Sequence, residues 1–381
     1  MAKVVVAMSG GVDSSVAAAL LKQAGGDELR SSSRFANARV FDVVGVFMKL
    51  ADLPNFKKSE KRARKIAKIL KIPFLVLDLR KKFKKMVIDY FLKEYKTGLT
   101  PNPCVICNKE IKFGLLLEKA LKLDADFIAT GHYAQTNSIH SIRQEIAMAE
   151  IRRMEPVKLL VAKDKNKDQS YFLWMLNQKQ LKRVLFPIGD YTRKEVEGLA
   201  KRFKLPVLGI KKSVEICFVK TTINDFLKRY LKPNPGQIIY STPEVRYRVI
   251  GRHQGLAFYT IGQRKGIGLP KGPYYVLGKD LKKNTLIVTK NQKDLLKKEL
   301  IAKKINWISG KKPELPIKIK SKIRYRHKLA TATIKQFSRG KIKVVFEKPQ
   351  RAITPGQSVV FYLPRRQAGA GEELLGGGII C

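Results

Sequence analysis

The chain has 381 residues and is 44% hydrophobic, enough to bury a sizeable core in two or three domains and too much for a disordered protein. Its 77 Lys and Arg stand against 31 Asp and Glu, and the formal net charge of +46 points to a densely negative partner, nucleic acid first, although part of the excess is lysine spread through every segment. No stretch approaches the roughly 18 apolar residues of a bilayer span, MAKVVVAM contains no secretory or Arg-rich targeting pattern, and 4 cysteines make no disulfide framework, so a reducing cytoplasm and no membrane are expected.

Lys3 to Ala7 is a short apolar run with high strand preference, and Ser14 to Gln23 carries strong helix formers up to Gly25 and Gly26. Between them lies SGGVDSS, Ser9 to Ser15. Paired glycines let the backbone bend sharply and approach a ligand, while Ser14 and Ser15 fall at a helix N-terminus whose unpaired N–H groups attract anions. A phosphate fits there. An ordinary strand-to-helix turn is the alternative, but Asp13 suits an anion site only when a divalent cation bridges it to the phosphates.

The polar segment Gly26 to Arg39 reads as a loop, followed by a strand from Val40 to Lys49, a basic helix from Ser59 to Lys71, a strand from Pro73 to Leu79 and a helix from Lys81 to Tyr95. Cys107 to Leu123 reads as a helix and Ala125 to Thr130 as a strand. The alternation is the doubly wound α/β pattern, which puts ligands at the carboxyl ends of a parallel sheet. After Cys217 the texture changes. Thr222 to Leu231 reads as a helix, PNPG at Pro233 to Gly236 as a turn, and short strands with glycine turns run to about Lys290. From Lys304 onward period-two runs at Ile317 to Tyr325, Ala330 to Phe337, Lys341 to Phe346 and Gln357 to Leu363 predict a small antiparallel β-barrel. Three domains are expected, at 1–215, 216–288 and 289–381.

Two cysteines stand out. Cys107 follows the Pro-rich stretch TPNPC, at or near a helix start, with Lys109 and Lys112 close by. Both circumstances lower a thiol pKa from about 8.5, so a reactive thiol is expected. Cys217, between Ile216 and Phe218, reads locally as an inert core cysteine. Cys104 and Cys107 form one CxxC, open to a redox pair, half a zinc site or part of an iron-sulfur site.

SGGVDSS resembles the signature of the ATP-pyrophosphatase (PP-loop) enzymes, which cleave ATP between its α and β phosphates and adenylate a carbonyl oxygen; the Walker pattern is absent from the chain. TPNPCVICNKEIKFG, ATGHYA, KDQSYFLW, PIGDYTRKEV, EICFV, GRHQGLAFYTIGQRKGIG and TPGQSVVFY follow it in order. The whole set is similar to the tRNA-specific 2-thiouridylase family over essentially the entire chain. That resemblance implies a PP-loop, adenine nucleotide α-hydrolase-like domain, a small central domain and the C-terminal β-barrel. It implies ATP-dependent 2-thiolation of the wobble uridine of Lys, Glu and Gln type tRNAs, and a partner protein that donates persulfide sulfur, a cysteine desulfurase or sulfur relay. A cytoplasmic monomer is expected.

The residues carry over one by one. The ATP site, with Mg2+, falls on Ala7, Met8, Ser9, Gly10, Gly11, Val12, Asp13 and Ser14, joined by Met48 and Gly131. The nucleophile falls on Cys107 and the persulfide carrier on Cys217. Asn102, Pro103 and Cys104 match the loop that meets the target base, while His132, Lys167, Asp168, Gln169, Arg324, Tyr325 and Gln357 match tRNA-contacting positions. Asp168 and Gln169 also read as a helix cap, His132 as a core histidine, and the basic barrel face as a solvated surface. The lead into EICF departs from the family pattern at Lys212, Ser213 and Val214, and many relatives carry Asp at the position of Cys104.

The implied chemistry makes uracil O2 leave as AMP and brings in sulfur from a Cys217 persulfide. Cys107 can attack the inner sulfur and release hydrosulfide, or the terminal sulfur can attack directly; a third version uses Cys104, Cys107 and Cys217 as ligands of an iron-sulfur cluster. Two rivals remain at this level: a PP-loop ligase that delivers ammonia, and a non-catalytic RNA-binding protein on a relic nucleotide fold.

Overall fold

The computed structural model describes residues 1–23, 41–137, 155–207, 209, 216–240, 248–364 and 372–381. The loop expected at Gly26 to Arg39 and the departure at Lys212 to Val214 lie outside them.

Strand β1 (Ala2–Ala7) is hydrogen-bonded on one side to β2 (Phe41–Lys49), which leads on to β3 (Phe74–Asp78). On its other side lie β4 (Phe127–Ala129) and then β7 (Val184–Leu185), giving an all-parallel sheet in the order β3-β2-β1-β4-β7. Chain order reverses at β1, so the crevice outside its carboxyl end is the natural ligand position. Alternate β1 residues enter different cores. Val4 and Val6 pack with Ala17, Leu20 and Ile66 on one face, and Val5 and Ala7 with Phe113, Trp174 and Tyr362 on the other, which is why the strand reads as continuously apolar.

Helix α1 (Val12–Lys22) follows β1 directly, and α2 (Pro54–Ile69) leads to β3. A helical run, α3, spans Arg80–Phe83, Lys84–Ile88 and Asp89–Lys96. Helix α4 runs through Pro103–Ile106, Cys107–Leu115 and Leu116–Leu121, its middle part π-helical. It starts four residues earlier than the sequence pattern suggests, because Pro103 is pre-set for a first helical turn. Helix α5 (Arg193–Arg202) is closed by a capping box in which Thr192 and Glu195 satisfy each other's backbone N–H groups.

The central domain opens with α6 (Ile223–Lys228). Its four-stranded sheet comprises β8 (Gly236–Tyr240), β9 (Arg248–His253), β10 (Tyr275–Asp280) and β11 (Thr285–Thr289), in the order β10-β11-β8-β9. The antiparallel barrel that follows contains β12 (Leu296–Trp307), β13 (Ile317–Lys322), β14 (Ala330–Ser338), β15 (Lys341–Arg351), β16 (Ser358–Tyr362) and β17 (Glu373–Ile380). The β12–β17 pairing closes it.

Two barrel strands differ from the sequence expectation. β12 begins at Leu296, eight residues before the expected start at Lys304, because its Lys-rich first half is exposed and shows no alternation. β17, with three consecutive glycines, carries no period-two signal and lies beyond the last expected strand at Gln357 to Leu363. Its glycines are demanded by packing: a Cβ on Gly377 would stand 2.8 Å from both the Trp174 ring and the Val359 carbonyl, and one on Gly378 2.5 Å from Ile305. The short strands β5 (Gln135–Thr136) and β6 (Leu159–Leu160) of the first domain continue the barrel sheet, β6 pairing with Glu373 and Leu374 of β17.

Trp174 and Tyr171, both fully buried, sit at this junction; Trp174 Nε1 donates to Ser358 Oγ at 3.0 Å and the Tyr171 hydroxyl to the Ser358 carbonyl at 2.9 Å. We expect Gly377→Ala to lower unfolding stability by about 1–3 kcal/mol, the usual cost of overpacking a tight core, as measured by urea denaturation.

Candidate functional site

The turn after β1 is built to expose a helix N-terminus. Gly10 lies at φ +72, and a Cβ there would stand 2.3 Å from the Ser59 carbonyl, so only glycine fits. Arg62 Nε donates to the Gly10 carbonyl at 3.2 Å. Ser14 turns inward, accepting from Ser9 N at 3.1 Å and donating to the Gly11 carbonyl at 3.2 Å, while Ser15 donates to the same carbonyl at 2.7 Å. Gly11, the N-cap of α1, offers no side-chain cap, which leaves first-turn N–H groups for an anion. A Cβ on Gly131 would stand 2.6 Å from Ser14 N, so glycine keeps the mouth of that N-terminus clear. The arrangement fits nucleotide phosphates. Met8, just before the turn, is buried, and Met48, near the end of β2, is half-buried.

Gly131, His132 and Tyr133 connect this turn to the thiols. The Tyr133 hydroxyl donates to Asp13 Oδ1 at 2.9 Å. One residue earlier, His132 is buried, with Nε2 3.3 Å from Lys112 Nζ and Nδ1 2.7 Å from Thr130 Oγ1. An ammonium only donates, so Nε2 accepts and Nδ1 carries the proton toward Thr130. Burial, and then Lys112, hold the imidazole well below its ordinary pKa, hence neutral.

Lys112 acts electrostatically on Cys104, Cys107 and Cys217, and both other thiols act on Cys217, so the three sulfurs and one ammonium share a site. Cys107 is only 7% exposed and packs in a cluster with Phe83, Ile111 and Phe218. Its thiol is pushed up to about 11 by loss of hydration, which Lys112 only partly offsets. The expected activated thiol is therefore not present in this conformation: the helix starts at Pro103, placing Cys107 one turn inside and under an apolar cover. Cys217 departs from its local reading in the other direction. Solvent reaches it, although Ile216 and Phe218 on either side pack into the core. Its thiol is also raised, first by the protein crowding around it and then by Cys107 and Cys104. Among the described residues no three His, Cys, Asp or Glu side chains converge as metal ligands.

The stretch Thr97 to Asn102 that leads into α4 is held by both other domains. Lys279 Nζ donates to the Gly98 carbonyl at 2.9 Å, and Gln357 Nε2 to the Thr100 carbonyl at 2.8 Å. Asn102 and Cys104 are half-buried, Pro103 buried. Asp168 is buried, accepting from Ala162 N and Ser170 N at 3.2 Å and from Ser170 Oγ at 2.9 Å. Gln169 bonds the Tyr133 backbone twice, and Lys167 is half-buried. Arg324 and Tyr325 lie on a turn, since β13 stops at Lys322 and not at Tyr325; Arg324 Nη2 donates to the Arg351 carbonyl at 2.6 Å and Tyr325 packs 4.4 Å from the Phe172 ring. In this conformation these positions brace the site. One residue beside the phosphate turn escaped the sequence reading: Arg193, in the PIGDYTRKEV block, whose Nη1 lies 2.5 Å from Asp13 Oδ1. A basic residue just after a Thr cap was the available signal.

Three family profiles match consecutive parts of the chain: a tRNA methyl transferase HUP domain at 2–221, a tRNA methyl transferase PRC-barrel domain at 224–290 and an aminomethyltransferase beta-barrel domain at 297–380. The chain is 42% identical over 387 residues to tRNA-specific 2-thiouridylase MnmA 2 of Thermoanaerobacter sp. (strain X514), covering 99% of this chain and 97% of that protein. It is 41% identical to tRNA-specific 2-thiouridylase MnmA of Nitrosomonas europaea and 40% identical to that of Clostridioides difficile, in each case over 99% of this chain and 98% of the relative. A U34-tRNA thiolase, NcsA from Methanococcus maripaludis with its [4Fe-4S] cluster, aligns over 56% of this chain and 60% of its own at 20% identity and a TM-score of 0.33, too distant to bear on the site.

Iodoacetamide should label exposed Cys381 before either Cys217 or Cys107 at neutral pH, because burial pushes both of those thiols up, Cys217 to about 12. A raised pKa means less thiolate at a given pH, so Cys107 labelling should stay slow near neutrality and climb as pH approaches about 11, as followed by peptide mass spectrometry.

Proposed function

The chain belongs to the tRNA-specific 2-thiouridylase family and catalyses ATP-dependent 2-thiolation of tRNA uridine; from that premise we propose how its own residues divide the work. The carrying observation is the Gly131–His132–Tyr133 segment, which touches the phosphate turn at one end and the cation of the thiol site at the other.

ATP occupies the turn from Ala7 to Ser14, with Met48 and Gly131 at the nucleotide and the pyrophosphate leaving group at the N-terminus of α1. Asp13 holds Mg2+, which supplies positive charge against the phosphates when bound. Positioned N–H donors stabilise the charge that develops on the leaving group, and uracil O2 attacks the α-phosphorus, so a stable carbonyl oxygen becomes part of an AMP leaving group.

Sulfur enters through the exposed thiol. A donor protein passes a sulfane sulfur to Cys217, the most exposed cysteine of the cluster. Cys107 thiolate then attacks the inner sulfur, the S–S bond of the persulfide breaks, and hydrosulfide leaves as a Cys107–Cys217 disulfide forms. Hydrosulfide adds at C2 and AMP departs. Two electrons from an external thiol reductant reopen the disulfide. A buried Cys107 suits this sequence because it stays protonated until the substrate complex brings a persulfide beside it.

The substrate base is the wobble uridine, unstacked from the anticodon and received by Asn102, Pro103 and Cys104, while Lys167, Gln169, Arg324, Tyr325 and Gln357 lie on the surface that meets the tRNA. The +46 charge supports this partner. No helix among the described residues is long and apolar enough to cross a membrane. We place the enzyme in the cytoplasm as a monomer, with domain boundaries near 215 and 288.

Incubation with unmodified tRNA, Mg-ATP and a persulfide donor should yield 2-thiouridine at the wobble position by nucleoside mass spectrometry. Cys217→Ser should reduce thiolation to background while leaving ATP affinity unchanged; thiolation by that variant would remove Cys217 from the sulfur path.

A further inference from the structure

Arg193 is the first residue of α5, which packs beside α1 and the phosphate turn. Its guanidinium is held between two acids: Nη1 meets Asp13 Oδ1 at 2.5 Å and Nε meets Glu197 Oε1 at 2.7 Å, while its backbone N–H donates to Asp164 Oδ2 at 2.9 Å. The Asp13 and Arg193 side chains are 38% and 25% exposed, so the pair sits at an opening rather than in the core. Tyr133 donates to the same Asp13 oxygen at 2.9 Å.

An exposed pair of this kind contributes little to stability, about 0–1 kcal/mol in general. Its position is more informative. Asp13 stands in the first turn of a helix whose N-terminus is open to anions, and a carboxylate already neutralised by a guanidinium is a poor cation ligand. When a divalent cation takes Asp13, Arg193 loses that counter-charge and must find another anion. The anion that arrives together with the cation is the phosphate chain. A guanidinium suits phosphate better than any other side chain, because its rigid fork matches two oxygens and its charge persists at every working pH.

We propose that Arg193 is a ligand of the pyrophosphate portion of ATP, parked on Asp13 in the nucleotide-free enzyme and transferred from carboxylate to phosphate when the Mg-nucleotide binds. Glu197, one turn along α5, keeps the side chain at the crevice in both states. The inference rests on the assignment of ATP to the phosphate turn. It adds a cation beside Asp13, where charge accumulates on the departing pyrophosphate.

Calorimetry on the full chain tests it with three probes in the presence of Mg2+: ATP, inorganic pyrophosphate and AMP. Loss of a charge-assisted contact should weaken ATP and pyrophosphate binding by Arg193→Met about tenfold or more and leave AMP within about twofold of the wild type. Arg193→Lys, which keeps the charge and loses the fork, should fall between. If Arg193→Met does not fold, Arg193→Lys carries the comparison, with weaker pyrophosphate binding expected. Wild-type affinity of the variants for ATP and pyrophosphate, or an equal loss for all three probes, would overturn the proposal. Absence of binding by the wild type itself would instead remove the ATP assignment.

Discussion

The site depends on one buried seam. Residues from Asp168 to Leu176 lie between the parallel sheet and the barrel, and five of their side chains, Ser170, Tyr171, Leu173, Trp174 and Leu176, have no exposed surface. Each polar group there is used to locate something else. Asn108, one residue after Cys107, donates to the Phe172 carbonyl at 3.1 Å; Gln169 holds the Tyr133 backbone; Asn306 of the barrel donates to the Trp174 carbonyl at 2.6 Å. Buried hydrogen bonds of this kind are costly to break because the orphaned partner cannot return to water. The seam therefore fixes the thiol helix, the nucleotide turn and the barrel with respect to one another.

From that rigidity follows the division between the two thiols. Cys107 belongs to a helix locked on both sides, so it is withdrawn and protonated, whereas Cys217 lies at the surface between core anchors Ile216 and Phe218. A thiol that must be loaded by another protein has to be reachable, and one that must not be oxidised between turnovers is safer covered. Lys112 is placed by neutral His132 where it favours the ionised form of either sulfur. His132, which the family pattern assigns to the RNA, lies here behind that lysine.

How much of this was legible in the sequence varied with the physics involved. SGGVDSS disclosed the glycine turn and its open helix end because backbone sterics at Gly10 and an uncapped helix start are local properties, and the apolar β1 disclosed a sheet covered on both faces. Boundaries slipped where tertiary contacts decide them. β13 ends at Lys322 because Tyr325 turns to pack on Phe172, and β17 hides its strand character because glycine is required by Trp174, a residue about two hundred positions away. The reading of Cys107 as activated failed for the same reason: lysines at nearby sequence positions were visible, the apolar cover supplied by Phe83 and Phe218 was not. Arg193 offered only its place just after the Thr192 cap, since its partner Asp13 is 180 residues distant.

The order in which the barrel strands occur has a consequence for biogenesis. β12 through β16 precede β17 in the chain, yet β17 is the stave that touches β12, β16 and β6 at once. Until it emerges from the ribosome, two barrel margins and the hairpin of the first domain all present unsatisfied backbone groups, the kind of surface that recruits foreign strands. A premature stop a few codons before residue 373 would thus yield an aggregation-prone product despite an intact nucleotide domain, and cellular quality control would meet the defect as a sticky edge rather than as a missing activity.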